Sequence, residues 1–169
     1  MRYIFSALVL SAFACNNNEP VKEYVPPVEV QDVNHDEELR QSIINFAKEH
    51  LGVTYCYAGS TPEQGFDCSG FVYYVYKHFG IELPRSSSGF KNFGEQVKPE
   101  DFKVGDILVF YGYRDADSIG HVGIVCEADG MNSKFIHASS GTEYAVTISE
   151  LGSEMYTRRF YKAVNVLDD

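Results

Sequence analysis

The chain has 169 residues, of which 44% are hydrophobic and 22% charged, with twelve Tyr, twelve Phe and no Trp. That length supplies one hydrophobic core and does not comfortably supply two. The formal net charge of −10 argues against a nucleic-acid partner, because phosphate binding needs a Lys/Arg surplus on one face. Seven acids and one Lys between Glu19 and Glu38 carry −6 of that charge, so the remainder is only mildly acidic.

The chain opens with Met1 and Arg2, a minimal positive region. A run of twelve apolar or small residues from Tyr3 to Ala14 follows. Such a run is too short to span a bilayer, which takes about 20 residues in a helix. It fits the apolar core of a secretory signal with small residues before the cut. Cys15 directly after Ala14 resembles a bacterial lipobox, whose Cys is acylated and becomes the mature N-terminus, although Ala12 stands where Leu is usual. Residues 15–36 hold three successive Asn, Pro20, Pro26, Pro27 and the acid cluster, with no sustained period. They are expected to form a disordered acidic tether. The expected organisation is a signal over 1–14, the tether over 15–36 and one folded domain over 37–169.

In that domain Leu39, Ile43, Phe46, Ala47 and Leu51 recur at helical spacing, with Asp36 placed to cap the helix and Gly52 to stop it. Residues 60–65 are turn chemistry. A second helix is expected over 68–79: Cys68, Phe71, Val72, Val75 and Phe79 share a face, Asp67 is its N-cap and Gly80 its C′ residue. A Ser-rich turn after Pro84 leads into a short helix ending near Phe93. Beyond it, 106–111, 121–126, 134–138, 144–148 and 161–167 look like strands separated by Gly, Asp, Asn and Ser. Helices first and strands afterwards give an α+β fold, with helices packed on a mostly antiparallel sheet of five to six strands.

A thiol nucleophile needs a lowered pKa, a nearby base and donors for a developing oxyanion. Cys68 stands at the start of the second helix, where unpaired N–H groups and the helix dipole favour thiolate. The helix phase turns its side chain toward the sheet, so a base must come from a strand. His121 and His137 are the two candidates, and Cys, His, His is the order of a papain-type constellation.

The segment Gly65-Phe66-Asp67-Cys68-Ser69-Gly70-Phe71-Val72 resembles the nucleophile motif of the NlpC/P60 family of cysteine peptidases. Residues 52–59, 80–87, 104–108, 121–124 and 135–139 resemble five further family segments in order, departing at Thr54 for Pro, Ala58 for Gly and Val104 for Pro. The resemblance implies a papain-like fold, with Cys68 as nucleophile, His121 as base and His137 as the residue that orients His121. Tyr55 matches a Tyr whose hydroxyl lies near the nucleophile, and Asp67 and Ser69 match residues that bind the free amine of a stem peptide in some members. Arg85 and Ser86, in the matching Leu-Pro-Arg-Ser segment, complete the implied substrate-binding set. The implied reaction is hydrolysis of peptidoglycan stem peptides, most often between γ-D-glutamate and meso-diaminopimelate or L-lysine, with no metal or cofactor. The expected setting is the cell envelope, with a monomer held to a membrane through Cys15.

Simpler readings stand beside these. Cys68 alone could be a buried structural thiol, His121 a strand-end His, His137 a core His, Tyr55 plain core and Asp67 only a cap. Cys56 and Cys126 have no catalytic assignment: Cys126 is expected to be buried, and a disulfide between the two is the alternative to two free thiols. His35, His50 and His78 read as surface residues. The rival functions are an amidase or acyltransferase on the same scaffold, and a non-catalytic wall-binding protein.

Overall fold

The computed structural model describes residues 30–113, 115 and 117–167; Cys15 and most of the expected signal and tether lie outside them. The first helix, α1 (Val30–Lys48), begins earlier than the sequence suggests, so Asp36 lies inside it rather than capping it. The cause is a buried cation. Arg40 is fully buried, and its Nε donates to both carboxylate oxygens of Asp36 one turn earlier, at 3.0 and 2.8 Å. Its Nη1 reaches the Val104 carbonyl at 3.1 Å and Asp106 at 3.3 Å, and its Nη2 reaches Asn165 at 3.0 Å. Closing this network requires helical backbone through Asp36, because i and i+4 side chains meet only on a formed turn.

A two-stranded ribbon, β1 (Ser60–Thr61) and β2 (Gly65–Phe66), precedes α2 (Cys68–His78). The main sheet comprises β3 (Glu95–Val97), β4 (Ile107–Tyr111), β5 (Ile119–Glu127), β6 (Lys134–Ala138), β7 (Val146–Glu150) and β8 (Phe160–Asn165). Its order is β3-β8-β4-β5-β6-β7, and every pairing is antiparallel. The expected α+β architecture is present, and the sheet has the upper of the expected strand numbers.

Helices cover both faces of this sheet. α1 and α2 pack Ile43, Phe71, Val72 and Val75 against Val109, Val122, Ile124 and Ile136. A short helix, α3 (Glu154–Arg159), closes the other face, where Tyr156 joins Leu108, Phe110, Val125 and Phe135. Burial on both sides explains why β4 reads Ile-Leu-Val-Phe without alternation.

Candidate active site

The start of α2 is fixed by its cap. Asp67 has extended backbone and accepts the Gly70 N–H at 2.6 Å, an N-cap arrangement. Ser69 also donates its hydroxyl to Asp67, at 3.1 Å. Arg85 Nη1 pairs with Asp67 Oδ1 at 3.1 Å, while its Nη2 donates to the Ala58 and Gly59 carbonyls at 2.7 and 3.1 Å. A Cβ on Gly70 would stand 2.0 Å from the Gly59 carbonyl oxygen, so only glycine lets this loop seat on the helix start. Asp67, Ser69 and Arg85 thus form one cluster beside Cys68. Ser86 does not join it: its exposed hydroxyl pairs with Ser88 at 3.1 Å.

Cys68 is the first residue of α2 and is buried. The backbone N–H groups of Val122, Ser69 and Cys68 itself bear on its sulfur and favour thiolate. Burial outweighs them and, with the Asp67 carboxylate next door, pushes the thiol up to about 11. The lowered pKa expected from the helix terminus is therefore corrected: desolvation exceeds the dipole at this depth. Tyr55 sits in the same field. Burial first, then Cys68 and Asp67, raise its hydroxyl to about 12.

The Val122 contact brings Cys68 against β5 one residue from His121. Pairing of Ile124 with Ile136 and Val125 with Phe135, continued one step, sets Gly123 opposite His137. His121 and His137 are then diagonal neighbours on one sheet face. A Cβ at Gly123 would lie 2.5 Å from the Phe135 ring and 3.0 Å from the His137 Cβ, so the missing side chain makes room for the pair. His121 Nε2 and His137 Nδ1 are 2.9 Å apart, and His137 Nε2 is 2.9 Å from the Ser149 hydroxyl and 3.4 Å from that of Tyr156.

These contacts define a tautomer chain. If His137 Nε2–H donates to Ser149, His137 Nδ1 is an acceptor and takes the proton of His121 Nε2–H. His121 Nδ1, which has no hydrogen-bond partner among the described residues, then carries the lone pair of a base. Burial holds His121 well below its ordinary imidazole range, helped by His137 and the Arg159 charge. Burial also lowers His137, to about 4. Both rings are neutral near pH 7, and so is the thiol.

Beyond His121, on the α3 side of the sheet, a groove of about 770 Å³ is lined by Ser139, Thr147, Ser149, Tyr156 and Arg159 among others. Ser149, Tyr156 and Arg159 were not singled out from sequence. Ser149 falls one residue past the strand expected over 144–148, and the other two lie on α3, a helix too short to show a period. Elsewhere, Cys56 and Cys126 are free thiols and Cys126 is buried. His50 is corrected from surface to core. Its ring meets Phe46, Phe66 and Tyr74 edge-on, and its Nδ1 lies 2.9 Å from the Phe46 carbonyl at the end of α1. His35 and His78 are exposed.

Against known proteins, the NlpC/P60 family model matches residues 52–165. The chain belongs to the NlpC/P60 family. A γ-DL-glutamyl hydrolase of Bacillus subtilis is 39% identical over 115 residues, covering 68% of this chain and 26% of that protein, so the chain spans about a quarter of that relative. The murein DD-endopeptidase MepS/murein LD-carboxypeptidase of Escherichia coli K12 is 32% identical over 140 residues, covering 82% of this chain and 69% of that one. An NlpC/P60 protein of Bacillus cereus superposes with a TM-score of 0.68 at 32% identity, covering 76% of this chain and 40% of its own. The fold is thus the papain-like one of this family. One departure from the family pattern has a visible consequence: Ala58 stands in place of Gly with φ of 62°, a left-handed conformation that costs an L-residue about 1–2 kcal/mol.

Proposed function

We propose that the chain is a cysteine peptidase of peptidoglycan stem peptides, cutting between γ-D-glutamate and meso-diaminopimelate or L-lysine through a thioester on Cys68. The observation that carries this is the hydrogen-bonded series His121–His137–Ser149 on β5, β6 and β7, with the buried helix-start thiol of Cys68 influenced by the backbone of Val122, the residue after His121. The names of the relatives, a γ-DL-glutamyl hydrolase and a murein endopeptidase, support the substrate class.

The resting pair is neutral, so proton transfer accompanies attack. His121 Nδ1 takes the thiol proton as the sulfur adds to the scissile carbonyl. The oxyanion forms at the N-terminus of α2, where backbone N–H groups and the Tyr55 hydroxyl can donate to it. His137 accepts from Nε2–H throughout and keeps the new imidazolium in place. That imidazolium returns its proton to the leaving amine, leaving a thioester. His121 then takes a proton from water, which attacks the thioester and releases the acid and the free thiol. Asp67 and Ser69, braced by Arg85, receive the free amine of the stem peptide; Ser86 stands apart and contributes little.

Mass spectrometry of muropeptides after digestion tests the bond. New free amines on the third stem residue, with a free γ-D-glutamyl carboxylate, are expected, and intact stems would refute the assignment. Transfer of the acyl group to an added amine instead of water would mark an acyltransferase. We further propose that the protein resides in the cell envelope, anchored by a lipid on Cys15. Cys15→Ala should abolish fatty-acid labelling and membrane retention, and unchanged labelling would refute the anchor.

A further inference from the structure

Arg159 is a half-buried cation at the end of α3. Its Nε donates to the Tyr111 carbonyl at 2.9 Å, and its guanidinium carbon lies 5.7 Å from the centroid of the Tyr113 ring. Those two contacts fix the plane of the fork. Among the described residues, Nη1 and Nη2 have no hydrogen-bond partner and no acid pairs with the guanidinium. A guanidinium taken partly out of water without a counter-ion is costly unless something supplies the opposite charge. The fork is preset for a planar, bidentate anion.

Its position says which anion. Arg159 and His121 line the same groove of about 770 Å³, the charge of Arg159 is felt by His121 and His137, and Cys68 acts in turn on Arg159. The cluster of Asp67, Ser69 and Arg85 lies at the start of α2, and none of these three lines that groove. Since His121 hands a proton to the leaving amine, that amine departs on the His121 side. In an α-amino acid the amine and the carboxylate share one carbon. An amine held at His121 therefore brings its own carboxylate into the groove that Arg159 lines.

Resting on the hydrolase function proposed above, we infer that this groove is a subsite for the leaving half of the substrate, with Arg159 Nη1 and Nη2 clamping a free α-carboxylate on the residue after the scissile bond. Seryl and threonyl hydroxyls at 139, 147 and 149 line the same groove and solvate the rest of that residue. The consequence is an order of reactions. A stem whose third residue is extended or amidated lacks the anion, so an exopeptidase that frees this carboxylate should act first.

Two synthetic tripeptides, L-Ala-γ-D-Glu-diaminopimelate with the diaminopimelate α-carboxyl free or carboxamidated, test the subsite. The parent should cut the acid about 10- to 100-fold better in kcat/KM, as expected for loss of a bidentate charged pair. Arg159→Gln should abolish the preference, bringing the acid-to-amide ratio of kcat/KM to about one. Arg159→Lys should keep an intermediate preference, since it holds the charge without the fork. Equal cutting of both peptides by the parent, or equal slowing of both by Arg159→Gln, would overturn the subsite. A turnover-independent arm titrates the Cys68→Ala protein with free diaminopimelate and with its amide by calorimetry. Tighter binding of the acid, lost in Cys68→Ala/Arg159→Gln, supports the subsite even if no peptide is cut, in which case only the hydrolase proposal fails. Equal binding of the two refutes the subsite.

Discussion

Replacing His137 by alanine tests the tautomer chain. In the parent, His137 Nδ1 lies 2.9 Å from His121 Nε2 and its Nε2 lies 2.9 Å from the Ser149 hydroxyl, and the orienting role has His137 accept from His121 Nε2–H. Truncation leaves the His121 Nε2–H facing a vacated, buried space. An unsatisfied buried donor costs about 1–3 kcal/mol, with the upper end appropriate to an imidazolium. That is about 5- to 150-fold in rate. Loss of the tautomer preference adds a factor of a few, because part of the enzyme then holds its proton on Nδ1. His137→Ala should therefore lower kcat by about ten- to a thousand-fold with KM nearly unchanged, whereas His121→Ala should approach the rate of Cys68→Ala. His137→Asn or His137→Gln should recover part of the loss, since an amide oxygen can accept the same hydrogen bond. The assay is steady-state hydrolysis of a defined stem peptide, run beside a urea denaturation curve, because deleting a fully buried ring also costs about 2–4 kcal/mol of stability. Parent-like kcat in folded His137→Ala, or a loss confined to KM, would refute the orienting role.

The lowered pKa of His137, about 4 against an ordinary 6.5, makes stability pH-dependent. The unfolded state takes up a proton that the native state refuses, so stability present above pH 6.5 should be lost as the pH falls toward 4, with His137 contributing at most about 3 kcal/mol and His121, lowered for the same reason, adding to the loss. Urea midpoints across that window should show the decline, and His137→Asn should make it shallower. With Cys68 raised to about 11, alkylation of the free enzyme by iodoacetamide should keep rising with pH beyond 9. A plateau near pH 7 would instead mean a preformed thiolate–imidazolium pair. Gly123→Ala puts a methyl 2.5 Å from the Phe135 ring and should destabilise the fold by about 1–3 kcal/mol while displacing His137. Unchanged activity and stability would refute the close approach of β5 and β6.

The elements legible in sequence were those whose signals are local. Asp67, the helical face from Cys68 to Phe79 and the glycine at 80 mark both ends of α2, and His137, which the motif resemblance pairs with His121, lies 2.9 Å from it. What escaped depends on partners distant in sequence. The early start of α1 follows from a buried Arg40 meeting Asp106 and Asn165, which no local period encodes. β1 and β2 are two residues each, shorter than any alternation can register. His50 looked solvated at a helix end, yet α2 folds Tyr74 over it. The helix dipole that favours thiolate is visible in sequence, whereas the depth of burial that overrides it at Cys68 is not.

Digestion of purified peptidoglycan by the parent and by Cys68→Ala, with newly released amines counted, tests the central claim most directly. A small residue at the first helical position leaves the Asp67 cap intact, so the variant should fold. Losing the nucleophile of such a constellation costs on the order of a million-fold, so the parent should release stem-peptide amines and correctly folded Cys68→Ala should release none above background. Substantial release by the folded variant would contradict the account.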